Sequence, residues 1–233
     1  MLPAAPGGAE RGRPGGGGRR GPRPRRRRSR HPRRVRLPAG FGWYPVAAFL
    51  LIAGTQPIYS WSVAYLDEVG GMSVATAGAL ASIGSAVAVV AMIVLAGRAD
   101  RTGGDRVRPV VLLTAAATAG VALLWLGIVA GPVSMTAGLV LGGVAQLTAI
   151  GLMHAAVVAT APDLVGRASG ATMAGYYLGA LLSAPLFGLS VDATGGYGLG
   201  WGVSAGLAAA SVLCFVRCRA VTARARAGRA PAN

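Results

Sequence analysis

Residues 73–96 read SVATAGALASIGSAVAVVAMIVLA, and residues 97–108 read GRADRTGGDRVR. The first stretch is twenty-four residues without a charge, and the second carries four arginines and two aspartates. A hydrocarbon core about 30 Å thick takes roughly 20 apolar residues in a helix. The first stretch is therefore long enough to cross a bilayer, and the second is too charged to follow it. The pair reads as one transmembrane helix and the loop into which it emerges.

Five more uncharged runs appear on either side, at 43 to 66, 109 to 130, 133 to 160, 168 to 190 and 199 to 216. Between them lie Asp67-Glu68-Val69-Gly70-Gly71, Arg98 to Arg108, Gly131-Pro132, Ala161 to Arg167 and Asp192 to Gly198, all with turn or charge signals. Gly131-Pro132 reads as a hairpin, because one helix through it would run from 109 to 160, far beyond a bilayer's width. Composition agrees: 53% of residues are hydrophobic, mean hydropathy is +0.54, and charged residues make up 13%, against about 25% in a soluble domain.

A pI near 11.7 first suggests nucleic-acid binding, but the placement of the basic residues argues against it. All 23 are arginine, and thirteen fall in the first 36 residues among glycine and proline. No apolar face can form there, so residues 1–40 are expected to be a disordered cytoplasmic tail, followed by a six-helix bundle at 41–217 and a short basic tail at 218–233. The charged region is too long for a signal peptide. Alternating sides from a cytoplasmic start places Arg98, Arg101, Arg106, Arg108, Arg167 and the five arginines from Arg217 to Arg229 on the tail's side. Asp67, Glu68 and Asp192 fall on the other side with no basic residue. This is the positive-inside asymmetry, and it predicts six spans in the cell membrane with both termini cytoplasmic. The tail suits an anionic leaflet, each arginine near the surface contributing on the order of 1 kcal/mol.

Asp100-Arg101-Thr102-Gly103-Gly104 and Asp192-Ala193-Thr194-Gly195-Gly196 share the pattern D-x-T-G-G. They follow the second and fifth spans, on opposite sides, as a 3+3 inverted repeat requires; such repeats mark secondary transporters. Gly138/Gly142 and Gly175/Gly179 have the spacing that lets helix backbones approach closely.

Gly97-x-x-Asp100-Arg101-x-Gly103 followed by Arg106 resembles the cytoplasmic loop motif of the major facilitator superfamily, between the second and third helices of a six-helix unit. The stretch from Pro162 to Trp201, with Gly166-Arg167-Ala168-Ser169-Gly170, Pro185, Gly188 and Asp192, is similar to the last three helices of such transporters. The resemblance covers about residues 43 to 217 and implies a C-terminal half. It further implies a small-molecule substrate moved by alternating access, and a gating role for Gly97, Asp100, Arg101, Gly103 and Arg106. Members carry two six-helix bundles, so a missing N-terminal half or a second copy is expected to close the path.

Polar side chains inside spans face a cavity or another helix. Gln56, beside the helix-kinking Pro57, and Tyr59 in the first span, Gln146 and His154 in the fourth, and Tyr176 in the fifth are the substrate-cavity candidates. Helix-to-helix hydrogen bonding accounts for Gln56 and Gln146 equally well, and a packed neutral imidazole is expected for His154 over a proton relay. No Asp, Glu, Arg or Lys lies in the middle of a span. There is no phosphate loop with lysine, no Ser/His/Asp set and no Cys/His cluster, so neither catalysis, nor a metal, nor a cofactor is expected. Cys214 and Cys218, spaced i,i+4, read as packing residues.

Overall fold

The computed structural model describes residues 36–102 and 105–227. Among these residues every regular element is helical. The first span is built from α1 (Trp43–Thr55), α2 (Pro57–Ser60) and α3 (Ser62–Glu68). Five long helices follow: α4 (Val74–Thr102), α5 (Val107–Ala130), α6 (Pro132–Thr160), α7 (Val165–Thr194) and α8 (Gly198–Ala227). Each of these five is long and apolar enough to cross a membrane alone, and α1 to α3 pass the same test together, making six spans when the bent segment is counted as one. The six expected runs are therefore all helical. At the arginine-bearing end α4 and α8 continue beyond them, α4 through Arg101 and α8 through Arg226.

The break does not fall where proline was expected to place it. Pro57 occupies the first turn of α2, where a missing donor is tolerated. The carbonyl it leaves free, that of Ala53, accepts a hydrogen bond from the Ser183 hydroxyl of α7 at 2.9 Å. The helix bends by 49° four residues later, at Trp61, whose φ of −126° and ψ of −13° leave the helical region. The Trp61 indole N–H donates to the Ala184 carbonyl at 3.1 Å, and its ring lies on Gly188, where a Cβ would come within 2.8 Å. Docking of the indole on α7, and not the pyrrolidine ring, sets the bend.

The neighbour relations are symmetric. α1 packs on α7 and α8, α6 packs on α4 and α5, and α5 packs against α8 between them. Exchanging α1 with α6, α4 with α7 and α5 with α8 returns the same pattern, as an inverted repeat of three plus three helices demands. In the second copy of D-x-T-G-G, α7 ends at Thr194, the third residue of the motif. Gly195 then takes the left-handed conformation (φ 67°) and caps α7.

Glycine sets the closest approaches. A Cβ on Gly120 of α5 would fall on the Gly142 backbone of α6, and one on Gly138 would lie 2.6 Å from the Gly120 oxygen. On the other side of the bundle, a Cβ on Gly54 would lie 2.5 Å from the Ala208 nitrogen of α8. One on Gly179 would lie 2.6 Å from the Phe49 oxygen, and one on Gly175 would collide with the Pro45 carbonyl. Both glycine pairs singled out by their spacing are thus buried helix contacts.

Two apolar clusters close the ends. The acidic end is packed by Tyr65, Leu124, Met135, Phe187, Tyr197 and Trp201. There the Tyr197 hydroxyl donates to Glu68 at 2.9 Å; burial first, and then that carboxylate, push the phenol up to about 12. The arginine end is packed by Phe41, Tyr44, Leu51, Val110, Met153, Phe215 and Cys218. Inside it the Tyr44 hydroxyl meets Thr160 at 3.0 Å and Thr222 at 2.6 Å, pinning α1, α6 and α8 together.

Asp105 tethers the loop at this end. One carboxylate oxygen accepts from the Val107 and Arg108 amides at 3.0 and 3.4 Å, capping α5, and the other pairs with Arg219 of α8. Burial alone would raise this carboxyl, but Arg219 and the two amides outweigh it and hold it below its ordinary 3.8.

Two tests follow from this packing. Gly120→Ala should destabilise the protein by about 1–3 kcal/mol through overpacking, although alanine is the better helix former. The same change at Gly206, which has open space around it, should be neutral or stabilising in thermal denaturation in detergent. Equal shifts at both sites would contradict the packing. Because the Asp105 carboxyl is lowered, its contribution is complete above about 3.8 and fades as pH falls through the folded value. Asp105→Asn should therefore lower the melting temperature by about 1–2 °C at pH 7, the scale of an exposed ion pair, and by progressively less as pH falls below 3.8. A gap that stays constant as pH falls through that range would contradict the assignment.

Candidate functional site

By their main contacts the helices run α4–α6–α5–α8–α1–α7, with α4 and α7 last on either side, and lighter contacts of α3 on α4 and of α7 on α6 and α8 cross between them. α4 and α7 are also the least covered: 11% of the apolar window of α4 and 22% of that of α7 is buried inside the bundle, against 56% for α6. Ile83, Val87, Val90 and Val94 line the open flank of α4, while Tyr177, Leu181 and Leu186 are exposed on α7. Between these rims run α1–α2 and α6, which carry four of the five cavity candidates.

Tyr59, more than a third exposed, donates its hydroxyl to the Gly143 carbonyl of α6 at 2.8 Å. The α1–α2 segment runs toward the acidic end and α6 away from it. Gln146, one turn from Gly143, therefore lies at the level of Gln56, one turn back from Tyr59. Gln56 is half-buried. Gln146 is 1% exposed, and its Oε1 has no partner among the described residues. An unsatisfied buried amide oxygen destabilises by about 1–3 kcal/mol unless a donor reaches it, so this position calls for a hydroxyl, an amine or a water. Tyr176 is half-buried on α7, edge-on to Tyr177 at 5.3 Å, and lies within electrostatic range of the Tyr59 phenol. The structure thus brings Gln56, Tyr59 and Gln146 to one level and sets Tyr176 near Tyr59.

His154 lies two turns from Gln146 toward the arginine end. Its Nδ1 is 2.8 Å from the Ile150 carbonyl and its Nε2 is 3.2 Å from the Met173 sulfur of α7. It is a packed side chain, held by its own helix on one edge and by a neighbouring helix on the other.

The loop motif is only partly visible. Gly97 is exposed near the end of α4, and Arg106 occupies the N-cap position of α5. Gly103 and the side chains of Asp100 and Arg101 lie outside the described residues. In the same loop Asp105 accepts from the Val107 and Arg108 amides and pairs with Arg219. Reading the sequence alone missed Asp105 and its partner Arg219. The available signal was an aspartate just ahead of the third apolar run, where a carboxylate can accept the free amides of a helix start.

Residues 1–184 of the 233 match the profile of the Major Facilitator Superfamily. No curated protein and no solved structure gives a match. The match covers well over half of the chain and takes in the loop motif, the six-helix pattern up to the middle of α7 and all the candidate residues. The chain belongs to the major facilitator superfamily, a family of membrane transporters.

Proposed function

We propose that this chain is one six-helix half of a secondary transporter that moves a small solute by alternating access. In this reading a second six-helix bundle, another copy or a separate half, lies against α4 and α7, and the solute passes between the bundles. The observation that carries it is the level formed by Gln56, Tyr59 and Gln146 between two apolar rims, with the Gln146 oxygen unsatisfied. Gln146 is buried away from lipid, and an amide at that depth needs a donor, which a solute bound beside Gln56 and Tyr59 could supply. The absence of ionised side chains in the middle of the spans supports a neutral or weakly charged solute, bound by hydrogen bonds.

The reading includes an orientation. Arg98, Arg106, Arg108, Arg167, Arg217, Arg219 and Arg224 belong to the helix ends and junctions opposite Asp67, Glu68 and Asp192. In the cell membrane, positive-inside asymmetry then puts both termini in the cytoplasm. Asp100 and Arg101, at the cytoplasmic end of α4, would hold one gate conformation and release it during the cycle.

Comparing the metabolites held by cells with and without the chain identifies the solute. Its uptake should fall at least tenfold in Asp100→Asn and in Gln146→Leu, with the amount of protein in the membrane fraction unchanged. Uptake that survives both substitutions would overturn this reading.

A further inference from the structure

His154 carries an electronic mismatch that a packed side chain would be expected to avoid. A carbonyl oxygen only accepts hydrogen bonds, so the ring nitrogen 2.8 Å from the Ile150 oxygen must hold the proton. In a neutral imidazole the other nitrogen is then a bare acceptor. That nitrogen, Nε2, points at the thioether sulfur of Met173, which also has lone pairs and no hydrogen, at 3.2 Å. Two acceptors face each other at hydrogen-bond distance, on two helices that otherwise touch only lightly. The contact becomes attractive when an electrophile stands between them.

We propose that His154 Nε2 and Met173 Sδ form a low-coordinate binding site for a soft monovalent cation of the Cu(I) and Ag(I) class. Ligand chemistry selects this class. Thioether sulfur is a soft donor suited to Cu(I), and imidazole binds it equally readily. Calcium and magnesium require several oxygen ligands, and the middle of the spans holds no carboxylate. Structural zinc takes four ligands, and among the described residues no group of three or more His, Cys, Asp or Glu could hold a metal. A single positive charge is also the smallest that can be carried between helices without a counter-charge. A proton on Nε2 would leave that charge with one weak N–H···S bond, whereas a soft cation draws on both lone pairs.

The geometry allows entry. Zinc bonds to imidazole nitrogen and thiolate sulfur are about 2.0 and 2.3 Å long, so even a cation that small, seated in line, needs its ligands about 4.3 Å apart, and silver, a larger ion, needs more. The pair must open by roughly 1 Å or somewhat more, within reach of methionine's three rotatable bonds and the light α6–α7 contact. Both residues are half-buried. The Ile150 carbonyl holds the imidazole in the tautomer that presents Nε2, as hydrogen bonds behind ligating histidines do. The site is a property of the folded chain and does not depend on the transport reading, so binding is measured without any uptake assay.

The test is Ag(I) titration of the full-length chain in detergent, with Cys214 and Cys218 replaced by alanine to remove competing thiols. Calorimetry should report one ion per chain, and X-ray absorption should show one nitrogen and one sulfur ligand. Met173→Leu, which conserves volume, should weaken binding at least tenfold, as should His154→Gln. Met72→Leu, a methionine at the acidic end, should leave it unchanged. Binding no tighter than in Met173→Leu would overturn the site and leave the pair bridged by a proton. Equal losses in Met173→Leu and Met72→Leu would overturn it too, as scattered thioether binding.

Discussion

Helices in hydrocarbon gain little from burying apolar surface against one another, because lipid tails are as apolar as leucine. What remains is close van der Waals contact, and that requires backbones to approach. The bundle satisfies this constraint with glycine at three of its principal contacts, Gly120 with Gly138 and Gly142 between α5 and α6, Gly54 of α1 on α8, and Gly175 and Gly179 of α7 on α1. At the other two, α4 on α6 and α5 on α8, glycine meets side chains, Gly151 against Met92 and Gly202 against Trp125. Together these contacts place α1 and α6 inside the bundle and leave α4 and α7 the most exposed. Between α6 and α7 the helices touch lightly and leave room for polar side chains.

The second demand of the bilayer is that no backbone group go unpaired. The first span breaks its own ladder at Pro57, and α7 repairs it with the Ser183 hydroxyl. The Trp61 indole, bonded to the Ala184 carbonyl, then bends the chain over α7. One helix thus serves as rim, as partner for the break, and as carrier of Met173 and Tyr176. A transporter half that rearranges must change contacts of this kind, which are single hydrogen bonds on glycine-lined surfaces and not interlocked apolar side chains. At the two ends the packing is denser, with aromatic rings at one and the Tyr44–Thr160–Thr222 hydroxyls at the other.

Much of this was legible in the sequence because the bilayer reads length and charge, which are local properties. The six uncharged runs are all helical, and the glycine pairs Gly138/Gly142 and Gly175/Gly179 stand at close helix contacts. The bend resisted reading, because its position depends on where an indole finds Gly188, more than a hundred residues away. Asp105 was hidden behind the more familiar Asp100, and its pairing with Arg219 spans the whole bundle. The partner of His154 was equally beyond reach, for the tautomer depends on Ile150 and the facing sulfur on how α7 lies across α6. Local pattern specifies the helices, while the pairings that give sites their chemistry depend on the contacts between them.

The central claim is a chain that crosses the bilayer six times, with the broken α1–α3 segment counted as one full crossing. Single cysteines at Ser73, Val133 and Gly196 mark one set of turns, and cysteines at Pro38, ahead of α1, and at Arg108, Asp163 and Arg224 mark the other side, in a chain otherwise free of cysteine. Labelling intact cells with a membrane-impermeant maleimide tests the arrangement directly. The first three positions should label from outside and the last four only after permeabilisation. Labelling of Ser73 together with Pro38 or with Arg108 from one side would mean that a span is missing, and the six-helix account would fall.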